Sequence, residues 1–161
     1  PLGGVAVSKE IAAYFDENLL SCGLTYSGHP LGCAAGLATI SYYQDANILD
    51  NVNKVGKVLG ETLESLKEKH PCVGDVRYIG LFSAIELVKD KATREPLVPY
   101  GKDPEGSMKK ILGMLKAKKF MTYSHENMII IAPPLIITEE QLGEEMVKMD
   151  EVLSQVDKEF I

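Results

Sequence analysis

No apolar run in this sequence approaches the roughly 20 residues that a membrane-spanning helix needs. The longest candidate, Met128 to Ala132, stops at Pro133-Pro134, so no membrane partner is expected. Positive charge is in short supply too: 17 Lys and Arg stand against 23 Asp and Glu, a net charge of -6. A nucleic-acid surface needs clustered Lys and Arg to displace counterions from phosphates, and this balance argues against one. Cysteine is scarce, and Cys22, Cys33 and Cys72 are spaced like no zinc module. An odd count among small or apolar neighbours predicts buried free thiols in a reducing compartment, hence a cytoplasmic protein with no metal site and no disulfide framework. Arginine occurs only at positions 77 and 94.

What is present reads as an ordinary globular chain. The 161 residues are 45% hydrophobic and 25% charged, enough for one domain or for one domain and part of another. The sequence opens without Met and runs from Pro1 straight into Leu2-Gly3-Gly4-Val5-Ala6-Val7. That looks like the inside of a fold and sets the expectation of a piece of a larger protein.

Val5-Ala6-Val7 is a short β-prone run, and Ser8 is placed to cap a helix carrying Ile11, Ala12 and Phe15 on one face. Two glycines and a proline among small polar residues make Cys22 to Pro30 a loop. Pro30 can open the next helix, about Leu31 to Ala46, where its missing N–H does no harm. Gly32, Cys33, Ala34, Ala35, Gly36 and Ala38 leave that helix marginal alone and suited to packing deep in a larger body.

From Asn47 a second helix carries Ile48, Val52, Val55, Leu59, Leu63 and Leu66 at steps of three or four, ending at His70-Pro71. Residues 73–88 read as two strands, or one bent at Gly80; 89–106, with three prolines, reads as an exposed excursion. Met108, Ile111, Leu112 and Leu115 mark a third helix. Short strands are expected over Phe120 to Tyr123 and Met128 to Ala132, around the turn Ser124-His125-Glu126-Asn127. Thr138-Glu139-Glu140-Gln141 has the form of a capping box and opens a terminal helix. The second half is therefore α+β.

Candidates for chemistry are few. His29, His70 and His125 lie far apart and form no nucleophile or metal motif; His70 reads as a solvated residue at a helix end, and His125 as a solvated turn residue. The loop Gly23 to Pro30 sets hydroxyls and flexible backbone before a helix N-terminus, an arrangement suited to anions and phosphates. A plain turn with a Ser/Thr cap fits the same residues.

Four motifs in order carry a family resemblance. Pro1 to Ser8 resembles the segment after the cofactor lysine in class III pyridoxal-phosphate-dependent aminotransferases, the omega-aminotransferase group. Thr25-Tyr26-Ser27-Gly28-His29-Pro30 is similar to that family's T-[YF]-x-G-H-P signature. Val76-Arg77-Tyr78-Ile79-Gly80-Leu81 and Ile85-Glu86-Leu87 resemble its small-domain V-R-x-x-G-L and I-E-L stretch, and Pro133-Pro134-Leu135-Ile136-Ile137-Thr138 its closing P-P-L-x-I-T.

The resemblance implies the C-terminal small domain of a fold-type I PLP-dependent transferase, plus the tail of its large α/β domain. Residues 1–46 would be the piece of the large domain, and 47–161 the small domain with its connecting helix 47–70. It further implies a homodimeric transaminase that moves an amino group from an amine or amino acid to a keto acid, with pyridoxal phosphate as electron sink. Thr25 matches the threonine that binds the cofactor phosphate of the neighbouring subunit, and Tyr26 would line the same site. The Schiff-base lysine of the family precedes its P-L-G-G segment and is matched by none of the lysines here. No catalytic residue is therefore expected in these 161 residues, which are expected to be inactive alone. Many members carry a carboxylate-binding arginine where this sequence reads Ser124-His125-Glu126-Asn127, and that departure leaves the amino donor open. Arg77 is better read as a structural group. A non-catalytic assembly or binding module with the same small-domain fold is the alternative.

Overall fold

The structure is a computed structural model that describes residues 2–161. The chain divides into two compact units, one ending at Asn47 and the other spanning Ile48–Ile161. In the first, α1 (Lys9–Glu17) starts where Ser8 Oγ accepts from the Ile11 N–H at 3.3 Å. Helix α2 (Pro30–Asp45) has Pro30 at its head. Val5 to Val7 form no strand, because among the described residues this unit offers no other strand to pair with. None of the residues of α2 is buried within this unit, and the side chain of Leu2 lies against Gly32 and Gly36. Cys22 and Cys33 are exposed as well, contrary to expectation, since a unit with no buried helical residue has no interior to take a thiol.

The second unit builds an antiparallel sheet against helices. Asn47 adopts a left-handed turn conformation rather than starting the helix, so α3 (Ile48–Lys69) begins one residue later. Its predicted stripe is real: Val55, Leu59, Leu63 and Leu66 are buried. β1 (Val73–Ile79) and β2 (Phe82–Asp90) form the two-strand alternative, paired antiparallel with Val76 opposite Ile85 and Ile79 opposite Phe82. Gly80 turns the hairpin at φ 54°. Gly56 of α3 sits against that turn: a Cβ there would lie 2.7 Å from the Gly80 carbonyl, so only glycine permits the approach.

From the end of β2 onward, residues 89–105 are exposed, as expected, except at Leu97 and Val98. These two are buried where β3 (Glu95–Pro96) pairs back onto β2 and Leu97 N–H donates to Leu87 O at 3.0 Å. Arg94, at φ 59°, makes the reversal that the composition concealed. Helix α4 (Ser107–Ala117) follows, its first N–H groups satisfied by the Asp103 carboxylate. Phe120 to Thr122 are not strand: the left-handed Lys119 ends the helix and Phe120 N–H caps Leu115 O. Strand β4 (Tyr123–His125) then pairs with β5 (Met128–Ile131), giving the order β1-β2-β5-β4. α5 (Glu139–Glu159) opens with the predicted capping box.

The core is aliphatic. Ile85 and Leu87 of β2 and Ile129 of β5 meet Leu59 and Leu63 of α3, Ile111 and Leu115 of α4, and Met149 and Leu153 of α5. Helices segregated from an antiparallel sheet make this unit α+β, as expected. His70 and Cys72 lie inside it. His70 is 2% exposed, not solvated, because two carboxylates of α5 close over it. No helix of the described residues is long and apolar enough to cross a membrane.

Candidate functional site

The loop before α2 is a tight, self-bonded turn. Ser27 N–H donates to Leu24 O at 2.9 Å, Ser27 Oγ accepts from Leu24 N–H at 3.2 Å, and His29 N–H donates to Tyr26 O at 3.1 Å. These bonds fix the turn and leave Thr25 at its outside. Among the described residues, neither the hydroxyl nor the N–H of Thr25 has a hydrogen-bond partner. Tyr26 is 76% exposed, its ring packed on His29 with centroids 5.4 Å apart. His29 caps α2 by backbone alone, so the first N–H groups of the helix after Pro30 stay open. One hydroxyl, one free N–H and the positive end of a helix within a few residues can take a phosphate.

The other motif residues do structural work. Arg77 of β1 lies across the outer face of the sheet, with its guanidinium 2.5 Å from Glu86 Oε2 and 3.1 Å from Met128 Sδ. That agrees with the reading of Arg77 as a structural group. Asn51 of α3 donates through Nδ2 to Leu135 O at 2.8 Å and Ile137 O at 3.1 Å, which pins the Pro133 to Thr138 segment to the helix. Of the four residues expected to form a turn, Ser124 and His125 are instead paired in β4 with Ile129 and Met128, which leaves Glu126 and Asn127 to make the turn. Asn127 is buried and donates to Leu87 O at 2.8 Å. Glu126 accepts from Gly101 N–H at 2.7 Å, and His125 is exposed. Sequence reasoning missed the anchoring roles of Asn51 and Asn127, whose partners are remote in the chain.

A cavity of about 240 Å³ lies under Pro133 and Pro134, bounded by Phe120, Thr122, Leu142 and Met146. Its one charged lining residue, Glu145, is paired with Lys148 at 2.5 Å, so it offers packing space rather than chemistry. Among the described residues, no group of His, Cys, Asp or Glu is arranged to hold a metal ion.

Comparison with known proteins gives these motifs a common source. The family model for aminotransferase class-III matches residues 1–153. An ethanolamine-phosphate phospho-lyase homolog from Caenorhabditis elegans is 33% identical over 98% of this chain and 33% of its own. A taurine–pyruvate aminotransferase of Bilophila wadsworthia is 36% identical over 84% of this chain and 30% of its own. The solved taurine:2-oxoglutarate aminotransferase of Bifidobacterium kashiwanohense, in complex with PLP and glutamate, superposes with a TM-score of 0.91 at 48% identity, covering 96% of this chain and 34% of that one. The chain thus spans about a third of the length of the curated relatives it matches. With nearly its whole length matched in sequence and in fold, the chain belongs to the aminotransferase class-III family.

Proposed function

We propose that these residues are the C-terminal part of a homodimeric, cytoplasmic, pyridoxal-phosphate-dependent transaminase. Residues 1–46 then belong to its large domain and 47–161 to its small one. The family match over 1–153 carries the reading, and the turn before α2 is consistent with it. Bound pyridoxal phosphate supplies the carbonyl that receives the amino group and the electron sink for breaking the adjacent C–H bond. Thr25 donates from its hydroxyl and its N–H to the cofactor phosphate of the neighbouring subunit, helped by the open end of α2. Tyr26 packs its ring along the same site.

The amino donor is a primary amine whose acid group is not an α-carboxylate, such as taurine. Two observations support this: the stretch 124–127, at the end of β4 and the turn after it, has no arginine, and two of the relatives act on taurine by name. Ethanolamine phosphate, named in a third relative, shares with taurine a terminal amine two carbons from a strong acid.

Two measurements on the full-length protein test the proposal. Thr25→Ala should weaken pyridoxal phosphate binding by about 1.5–3 kcal/mol, at least about tenfold, the worth of a charge-assisted hydrogen bond. Unchanged affinity would overturn the role of Thr25. Turnover should be faster with taurine than with alanine as donor, and a preference for alanine would overturn the donor class.

A further inference from the structure

Where α3 hands over to β1, the second unit buries a charged cluster that the transaminase reading does not use. His70 follows the last residue of α3, and both of its ring nitrogens end on carboxylates of α5. Nδ1 lies 2.6 Å from Asp157 Oδ2, and Nε2 lies 2.9 Å from Asp150 Oδ1. The two aspartates stand seven residues apart, two turns along one face of the helix.

The proton count of this arrangement is decisive. An ionised carboxylate can only accept, so each ring nitrogen must donate, whereas a neutral imidazole carries a single N–H. Turning the ring over would set carbon atoms against the oxygens and satisfy neither contact. The cluster therefore holds one proton more than a neutral ring and two carboxylates supply.

The neighbours decide where that proton sits. Lys69 Nζ lies 2.6 Å from both oxygens of Asp150, and this contact foremost, with His70 beside it, holds the Asp150 carboxyl below the usual carboxylate range. Burial works against ionisation of Asp157, but contacts from Cys72 and His70 outweigh it, including the Cys72 N–H at 3.0 Å from Oδ1. Both aspartates are thus ionised. The Cys72 thiol, pushed up chiefly by burial, stays neutral. The remaining nearby cation is Lys91 at the end of β2, whose Nζ donates to the Lys67 carbonyl.

We propose that His70 is a buried imidazolium that latches the end of α3 to α5, and that loss of its proton releases this junction. Protonated, the ring bridges Asp150 and Asp157 and, through Asp157, holds the Cys72 N–H that leads into β1. Deprotonated, one ring nitrogen turns a lone pair on a carboxylate less than 3 Å away, and the α3–α5 junction loosens while the sheet remains.

Ring-nitrogen magnetic resonance of the 161-residue chain, labelled at histidine, reads the proton directly. At neutral pH both nitrogens of His70 should carry protons; a neutral single-tautomer pattern there would overturn the proposal. Amide exchange reads the latch. Protection at Cys72 and Val73, corrected for the intrinsic rate, should fall about tenfold or more as that proton is lost. Protection at Ile129 should not follow. His70→Gln should abolish this dependence, and a variant that keeps it would refute the latch. Should that variant fail to fold, Asp157→Asn serves: protection at Cys72 and Val73 should already be lower than the parent's at neutral pH, and unchanged protection would equally refute it.

Discussion

Gly56 and Gly143 are both helical glycines, but the space around them differs. A Cβ on Gly56 would come within 2.7 Å of the Gly80 backbone, which cannot move without opening the β1–β2 turn. A Cβ on Gly143 of α5 would meet nothing within 4 Å. Gly56→Ala should therefore destabilise the chain by about 1–3 kcal/mol, the usual effect of overpacking a filled site. Gly143→Ala should stabilise it by about 0.5–1 kcal/mol, because the unfolded chain loses freedom and the helix loses nothing. Denaturant midpoints of the two variants give the comparison. Equal shifts would mean that α3 does not approach the hairpin as closely as the structure has it.

At the scale of elements, α5 begins with two reciprocal bonds. Gln141 N–H donates to Thr138 Oγ1 at 3.2 Å, and Thr138 N–H donates to Gln141 Oε1 at 3.0 Å. Thr138→Ala removes the first and leaves the helix start with an unmet donor, so it should lower stability by about 1 kcal/mol, while Thr138→Ser should lower it by much less. Thermal melting of the pair checks this. The box was legible because its information lies within four consecutive residues, and the stripe of α3 was legible because its period repeats along the helix. What could not be read depended on distant partners. His70 looks like an ordinary helix end until Asp150 and Asp157, 80 and 87 residues away, arrive beside it. Leu97 and Val98 lie among prolines and charges, and only the reversal at Arg94 carries them back to β2. Thr25 shows the converse: the loop before α2 could be read from its hydroxyls and the helix start as suited to a phosphate, but the motif resemblance was needed to single out Thr25 within it.

For the whole molecule, burial separates two kinds of backbone. The Ile48–Ile161 unit carries an uninterrupted core in which Leu59, Leu63, Ile85, Leu87, Ile111, Leu115, Ile129, Met149 and Leu153 are fully buried. Its sheet and helix hydrogen bonds are shielded by that core, and opening them requires exposing it. The unit ending at Asn47 contains α1 and α2, neither with a buried residue, while Val5, Leu19, Leu24 and Leu31 stand in solvent. Short helices without tertiary cover are marginal in water, because the hydrogen bonds they gain barely offset the cost of nucleation. Native-state hydrogen exchange on the dilute chain should therefore be slow over 73–88 and 128–158 and fast over 2–30, with the contrast amounting to several kcal/mol of opening free energy, of the order that divides core from fraying segments. Concentration supplies the control: protection over 2–30 that rises with chain concentration would show its apolar surface being covered by association. Protection there equal to that of α5 in a dilute monomer would mean that these helices possess a core of their own, contrary to the burial seen here.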